Sequence, residues 1–181
     1  MTRTIYYTAS SLDGFIATSD HDLGWLLSQP VSEDLAGEME GLTTRFGAMV
    51  MGSSSYEWIL DHESLLDNPQ AWPYTSPSWV MTHRDLPRVP GADIRFAQGD
   101  VAAVHSEMLA VADDKDVWVI GGGELAGQFA DAGLLDELEV SYAPVTLGSG
   151  QPLLPRRLDL TLRDVRHDDP FVIARYAVAH P

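Results

Sequence analysis

Cysteine is absent from the 181 residues. That excludes disulfides, a thiol nucleophile and any cysteine-ligated metal, and it is compatible with a cytosolic chain. Positive charge is scarce: 11 Lys+Arg stand against 27 Asp+Glu, a formal net charge of −16. A field of that sign repels phosphate backbones and anionic membranes, so neither nucleic acid nor a membrane is an expected partner. No apolar run approaches transmembrane length, and Ser and Asp break the N-terminal MTRTIYYTASSLDGFIA before it forms a secretory-type apolar core. A cytoplasmic location is expected. The six histidines are scattered, with no HExxH or other close ligand pair, so no metal is expected. Gly52-Ser-Ser-Ser-Tyr56 lacks the closing glycine of a GxSxG elbow, which leaves no α/β-hydrolase nucleophile.

What is present suits one globular core. Hydrophobic residues make up 45% and charged residues 21%, near the average of folded domains, and the length leaves no room for two full-sized cores. A single domain over residues 1–181 is the expectation. β-branched and aromatic residues between turn signals predict strands at Thr4–Ala9, Ala48–Met51, Ser78–Thr82, Val117–Ile120, Glu137–Val145, Leu160–His167 and Phe171–Ala179. Helices are expected from Ser32 to about Arg45, from Ser54 or Ser55, over Val101–Ala112 behind an Asp100 cap, and over Gly123–Ala132 with Gly133 as the stop. The stretch Asp61–Pro77, rich in Asp, Ser, Asn and Pro, reads as a surface loop. Strands alternating with helices, then a run of strands closed by HDDP, predict an α/β fold. Its sheet is mixed and mostly parallel, with helices on both faces and a C-terminal antiparallel hairpin.

Three strand ends carry groups suited to phosphate. In VWVIGGGELAGQF, an apolar strand runs through Gly121, Gly122 and Gly123 into a helix. Glycines admit a phosphate close to the backbone, and first-turn amides supply donors, although the same glycines also make a strand-to-helix turn. The spacing Gly121-x-Gly123-x-x-x-Gly127 departs from the Rossmann fingerprint. In Ala48–Glu57, a second apolar strand meets Gly52 and then Ser53, Ser54 and Ser55, where Ser55 either caps the helix or binds phosphate. Thr82, His83 and Arg84 end the third strand as a local basic island. If the strands are parallel neighbours, the three ends converge outside their carboxyl termini.

Over nearly its whole length the chain resembles the dihydrofolate reductase superfamily, and within it the reductase domain of the bifunctional riboflavin-biosynthesis deaminase-reductase. Thr8–Ala17 looks like the first strand and active-site loop, Met51–Glu57 like the "MGRxTYE" segment and Val119–Gly123 like the glycine turn. Leu135–Leu138 together with Ala143–Gly150 is similar to "DEL…P…LGxG". The resemblance implies the dihydrofolate-reductase-like three-layer fold and an NAD(P)H-dependent oxidoreductase. NADPH is the implied cofactor, with NADH as the alternative, and the implied substrate is a small pterin-like or ribosylamino-pyrimidine-like heterocycle. Ala9, Ile16 and Ala17 would flank the nicotinamide, with Gly52, Ser53 and Ser55 near the ribose and pyrophosphate. Thr82, His83 and Arg84 would lie at the adenosine 2′-phosphate, and Gly121, Gly122, Gly123, Glu124 and Leu125 over the pyrophosphate. The resemblance also implies a cis Gly-Gly bond in the turn and a homodimer, with the segment from Leu135 to Pro155 as the contact.

Departures from the family pattern matter as well. Ser53 replaces the arginine of "MGRxTYE", and Glu124 adds an anion beside the glycines. Counting back from Gly52, the substrate carboxylate of dihydrofolate reductases would fall near Ala36, so dihydrofolate is not the expected substrate. Hydride transfer needs the donor within about 3–3.5 Å of its acceptor and a nearby proton source. Asp13 is the candidate for that source and for a substrate contact, its pKa raised by burial against Phe15 and Trp25; Asp13-Gly14 is equally a common turn pair. Trp25 would lie against a flat substrate or pack in the core. The rival to a reductase is a non-catalytic nucleotide- or pterin-binding member of the same fold.

Overall fold

A computed structural model describes residues 2–179. Strand β1 (Thr4–Ser11) leads through a short β2 (Phe15–Ala17) and a single helical turn α1 (Gly24–Leu27) to α2 (Glu33–Arg45). Then follow β3 (Phe46–Gly52), α3 (Ser53–His62), β4 (Ser78–Met81), β5 (Ile94–Ala97) and α4 (Val101–Val111). The chain continues through β6 (Asp116–Gly121), α5 (Gly123–Asp131), β7 (Glu137–Ala143), β8 (Gln151–Pro152), β9 (Leu160–Asp168) and β10 (Phe171–Val178). Eight strands form one sheet in the order β5-β4-β3-β6-β1-β7-β10-β9, while β2 and β8 pair separately. From β5 to β7 the pairings are parallel; β10 runs antiparallel to β7, and β9 antiparallel to β10. The expected mixed, mostly parallel sheet with its closing hairpin is therefore present.

Alternation sorts the side chains of the central strands onto two packed faces. Val117 and Val119 of β6 face Val104, Met108 and Phe129 of α4 and α5. Trp118, between them, points to the opposite core with Phe46, Tyr56, Ile59 and Leu42 of β3, α3 and α2. Helices thus cover both faces. The Ser32 hydroxyl accepts from the Leu35 amide at 3.0 Å, and an Asp100 carboxylate oxygen accepts from the Ala102 amide at 2.9 Å, so the expected caps of α2 and α4 form. Gly133, at φ +68°, follows α5 as its left-handed stop.

The structure departs from the sequence reading in four places. The short strands β2, β5 and β8 have too few residues to show a period and exist through their pairings. Helix α3 starts at Ser53 with Gly52 in the capping position and no side-chain cap, so no serine caps it. The stretch after Asp61 is no mere surface loop: Leu65 is fully buried, and Trp72 and Tyr74 pack edge-on to aromatic neighbours. Leu135 and Leu138, in the segment expected to make a dimer contact, are buried in the core. Exposed apolar side chains lie instead on the terminal hairpin, at Leu160, Leu162, Val165 and Val172.

Candidate active site

The chain reverses its path across the sheet at β6. Having moved outward through β3, β4 and β5, it returns to place β6 between β3 and β1, and such a switch point opens a crevice at the carboxyl ends of the strands. A cleft of about 940 Å³ lies there. Its wall includes Thr8 of β1, Ile16 and Ala17 of β2, Gly52 to Ser55 at the β3–α3 junction, and Met81 to Arg84 after β4. Gly121 to Leu125 at the β6–α5 junction and Gln151 and Pro152 of β8 complete that part of it. Every residue expected at the cofactor lines this cleft except Ala9, whose place on β1 is taken by its neighbour Thr8.

Two helix N-termini meet across it. Helices α3 and α5 have Gly52 and Gly122 in the capping position and no side-chain cap, whereas α2 and α4 are both capped by side chains. Their first amides have no intrahelical acceptor and carry the positive end of the helix dipole. The peptide Gly121–Gly122 is cis, as the resemblance implies. A Cβ on Gly121 would lie 2.9 Å from the Ser55 hydroxyl, and one on Gly123 would lie 2.2 Å from the carbonyl oxygen of Pro152. Gly123 is therefore glycine because the β8 backbone leaves no space for a methyl group, and at Gly121 a methyl group would press on the Ser55 side chain of α3. This combination fits a dinucleotide pyrophosphate: two helix dipoles whose first amides have no side-chain cap, with the Ser55 hydroxyl beside the glycine turn.

The charged groups around the cleft are already paired. The Arg84 guanidinium donates to both oxygens of Glu57, at 2.9 and 2.5 Å. The His83 ring lies 3.1 Å from Gln98. Glu124, an expected source of repulsion at the pyrophosphate, accepts from Arg156 at 2.7 and 3.1 Å, and Arg156 also donates to Asp131 at 2.8 Å. That pairing holds the Glu124 carboxyl below its usual range and raises the Arg156 guanidinium. The sequence gives no sign of Arg156, which lies in the segment after β8 and reaches α5 only in three dimensions.

Asp13 does not behave as expected of a proton source. Its carboxylate accepts from the Ser11 hydroxyl at 2.7 Å and from the amides of Leu147 and Gly148 at 3.0 and 2.7 Å. These hydrogen bonds, the one from Ser11 foremost, lower its pKa instead of raising it. Asp13 is not part of the cleft wall; it ties the loop after β1 to the loop before β8, alongside bonds from Leu12 N to the Val145 carbonyl and from Leu153 N to the Gly14 carbonyl. The expected stacking of Trp25 on a substrate is likewise not met, because Trp25 packs beside Leu35, Phe171 and Ile173, away from the cleft wall.

Other side chains that the sequence reading did not single out line the cleft. Trp58 and Ile59 line the cleft one helical turn after Ser54 and Ser55, a spacing legible in the sequence as one helix face. Tyr74 reaches the cleft from the segment after α3, and burial pushes its phenol well above the ordinary value, so it remains a protonated donor. His21, in the loop before α1, also lines the wall.

Comparison with known proteins agrees with this fold. The uncharacterized protein YwjB of Bacillus subtilis strain 168 is 27% identical over 155 residues, covering 83% of this chain and 82% of that protein. The riboflavin biosynthesis protein RibD of Corynebacterium ammoniagenes is 27% identical over 169 residues, which cover 86% of this chain but 47% of that longer protein. Among solved structures, a Shewanella sp. PV-4 protein assigned to riboflavin biosynthesis superposes with a TM-score of 0.81 at 23% identity, covering 98% of this chain and 99% of that one. It shares the fold. The family model described as the RibD C-terminal domain matches residues 53–173, from the start of α3 into β10, and the chain belongs to that family.

Proposed function

We propose that the chain is an NAD(P)H-dependent reductase. In this reading NADPH is the cofactor with NADH as the alternative, and the substrate is a small ribosylamino-pyrimidine-like or pterin-like heterocycle, as for a 5-amino-6-(5-phosphoribosylamino)uracil reductase. The observation that carries the reading is the meeting of the uncapped N-termini of α3 and α5 over a glycine turn at the switch point of the sheet. A bound nicotinamide supplies the hydride. The chain's amides at Ser53 to Ser55 and Gly123 to Leu125 would hold the pyrophosphate, and Thr82, His83 and Arg84 the adenosine end. Ile16, Ala17 and Ile120 exclude water from the apolar wall, and Trp58 offers an aromatic face. Tyr74 and His21 are proton-bearing side chains of the lining outside the expected cofactor residues, and one of them, rather than Asp13, would hold or deliver the proton that follows the hydride.

We read the protein as one domain over residues 1–181 that acts in the cytoplasm as a homodimer. Among the described residues no helix is long and apolar enough to cross a membrane, and the exposed apolar residues of β9 and β10 offer a contact for a second copy. The reading is tested by titrating NADPH and NADH against tryptophan fluorescence, to which Trp58 in the cleft wall contributes, followed by NADPH oxidation with a panel of pterins and ribosylamino-pyrimidines. Dissociation constants of about micromolar, with turnover of at least one heterocycle, are expected. Tight cofactor binding without any hydride transfer would favour the non-catalytic nucleotide-binding reading, and failure of both cofactors to bind would end the reductase reading.

A further inference from the structure

The cleft wall divides by chemistry. One part is the glycine turn with the uncapped N-termini of α3 and α5, which offer amides to an anion. Another is an apolar and aromatic bay formed by Trp58 and Ile59 of α3, Tyr74, Ile120 of β6 and Leu23 before α1. Trp58, Tyr74 and Ile120 are half-buried and pack on the core beneath α3. Trp58 lies flat on His62 with ring centroids 4.4 Å apart, and Tyr74 meets Trp118 edge-on at 5.7 Å. The bay is therefore held in shape by the protein's own packing before a ligand arrives. All 11 Lys+Arg lie among the described residues, and of them Arg84 alone lines the cleft. Arg84 follows β4, three strands and about 14 Å from β1, and Glu57 of α3 holds both ends of its guanidinium.

We propose that this cleft takes an uncharged, unphosphorylated substrate, a flat heterocycle laid against Trp58 and Tyr74 in the apolar bay. The inference rests on the reductase reading above and narrows it to the phosphate-free members of its substrate class. The two helix N-termini and the glycine turn form one anion site, and in that reading the cofactor pyrophosphate occupies it. A further phosphate, carried by the substrate, would have to enter the aromatic bay. There it would lose water without gaining a guanidinium or ammonium, within the field of a chain of net charge −16. A neutral ring escapes both penalties and is favoured by transfer from water to apolar walls. The reduction itself needs no phosphate: the carbon of a C=N or C=O bond takes the hydride, its nitrogen or oxygen takes a proton, and the nicotinamide is left oxidised. Trp58 is then a specificity-determining residue, because it contacts the ring that acceptable substrates share.

The test compares matched pairs on the full chain: 5-amino-6-ribosylaminouracil against its 5′-phosphate, and a 6-hydroxymethyl dihydropterin against its phosphate ester. Binding is read by calorimetry with the cofactor site filled by NADP+, and turnover by loss of NADPH absorbance. In at least one pair the phosphate-free member should bind about tenfold more tightly or better. Raising the ionic strength from about 0.01 to 0.15 M, which shortens the screening length from about 30 to 8 Å, should narrow that gap and leave the phosphate-free KM unchanged. Trp58→Ala should raise the phosphate-free KM about tenfold and Trp58→Phe should restore most of it, with NADP+ affinity changed less than about twofold in both. Phosphate esters that bind as well as their partners in both pairs, or a Trp58→Ala chain with unchanged KM, overturn the inference and leave the reductase reading standing. So does a chain that binds NADPH but no member of either pair. Failure to bind both NADPH and NADH overturns the two together.

Discussion

Replacement of Gly123 by alanine separates helix propensity from tertiary packing, because the two predict opposite signs. Alanine is favoured over glycine in a helix interior by about 0.8–1 kcal/mol, and Gly123 is the first residue of α5. Propensity alone therefore predicts a stabilised or unchanged protein. The structure predicts the reverse. A Cβ at Gly123 would fall 2.2 Å from the Pro152 carbonyl oxygen and 2.5 Å from that of Leu153, both backbone atoms that no rotamer change can move. Relief requires α5 to shift away from β8, and overpacking of this kind costs about 1–3 kcal/mol. After the small propensity gain, Gly123→Ala should destabilise the chain by about 2 kcal/mol, read as a lowered urea midpoint at constant slope. Two internal controls sharpen the test. Gly37 and Gly41 in α2 have nothing within 4 Å of a new Cβ, so alanine there should stabilise by about 0.5–1 kcal/mol. At Gly127 the new methyl would meet only the Arg156 side chain, at 3.1 Å and beyond, and the effect should be near zero. A Gly123→Ala protein as stable as the wild type would refute the close approach of α5 to β8, and with it the explanation of why the cleft turn is glycine.

Four further outcomes are expected. Glu139 is buried and is held at 2.7 Å by the half-buried Arg45, so Arg45→Ala should cost about 3 kcal/mol in denaturant stability, and adding Glu139→Gln should recover much of it. His105 is buried against Thr4, and burial lowers its pKa. Protonation therefore favours the unfolded chain: the contribution is intact above a pH of about 6.5 and is lost as pH falls toward the depressed folded value. Across that window the stability difference between wild type and His105→Leu should shrink, and a constant difference would refute the assignment. Arg156→Ala leaves Glu124 uncompensated at the glycine turn, so cofactor dissociation constants should rise about threefold to tenfold, and Glu124→Gln in the same chain should restore them. Light scattering at micromolar concentration should give a dimer mass, with Leu162→Asp in β9 giving a monomer if the exposed hairpin carries the contact.

Local pattern along the chain was enough for the fold class and most of the cleft wall. Apolar runs such as VWVI and AMVM can be buried only with helices on both sides, and the glycine and serine residues that follow them mark where strand gives way to helix. Because ligand-facing residues in such folds sit at strand ends, the strand ends supply most of the cleft wall; Ala9 among the expected cofactor residues, and Asp13 and Trp25 among the expected substrate residues, lie outside it. Periodicity carries no information on partners distant along the chain, and those the tertiary structure alone decided. Glu57 meets Arg84 and Arg156 meets Glu124 because α3 lies beside the loop after β4, and the segment after β8 beside α5. Asp13 looked like a buried acid from its neighbours in sequence, yet the loop before β8 brings it two amides that hold it ionised. Local pattern fixes which face a side chain takes; its charge state and hydrogen bonds depend on what the fold sets opposite it.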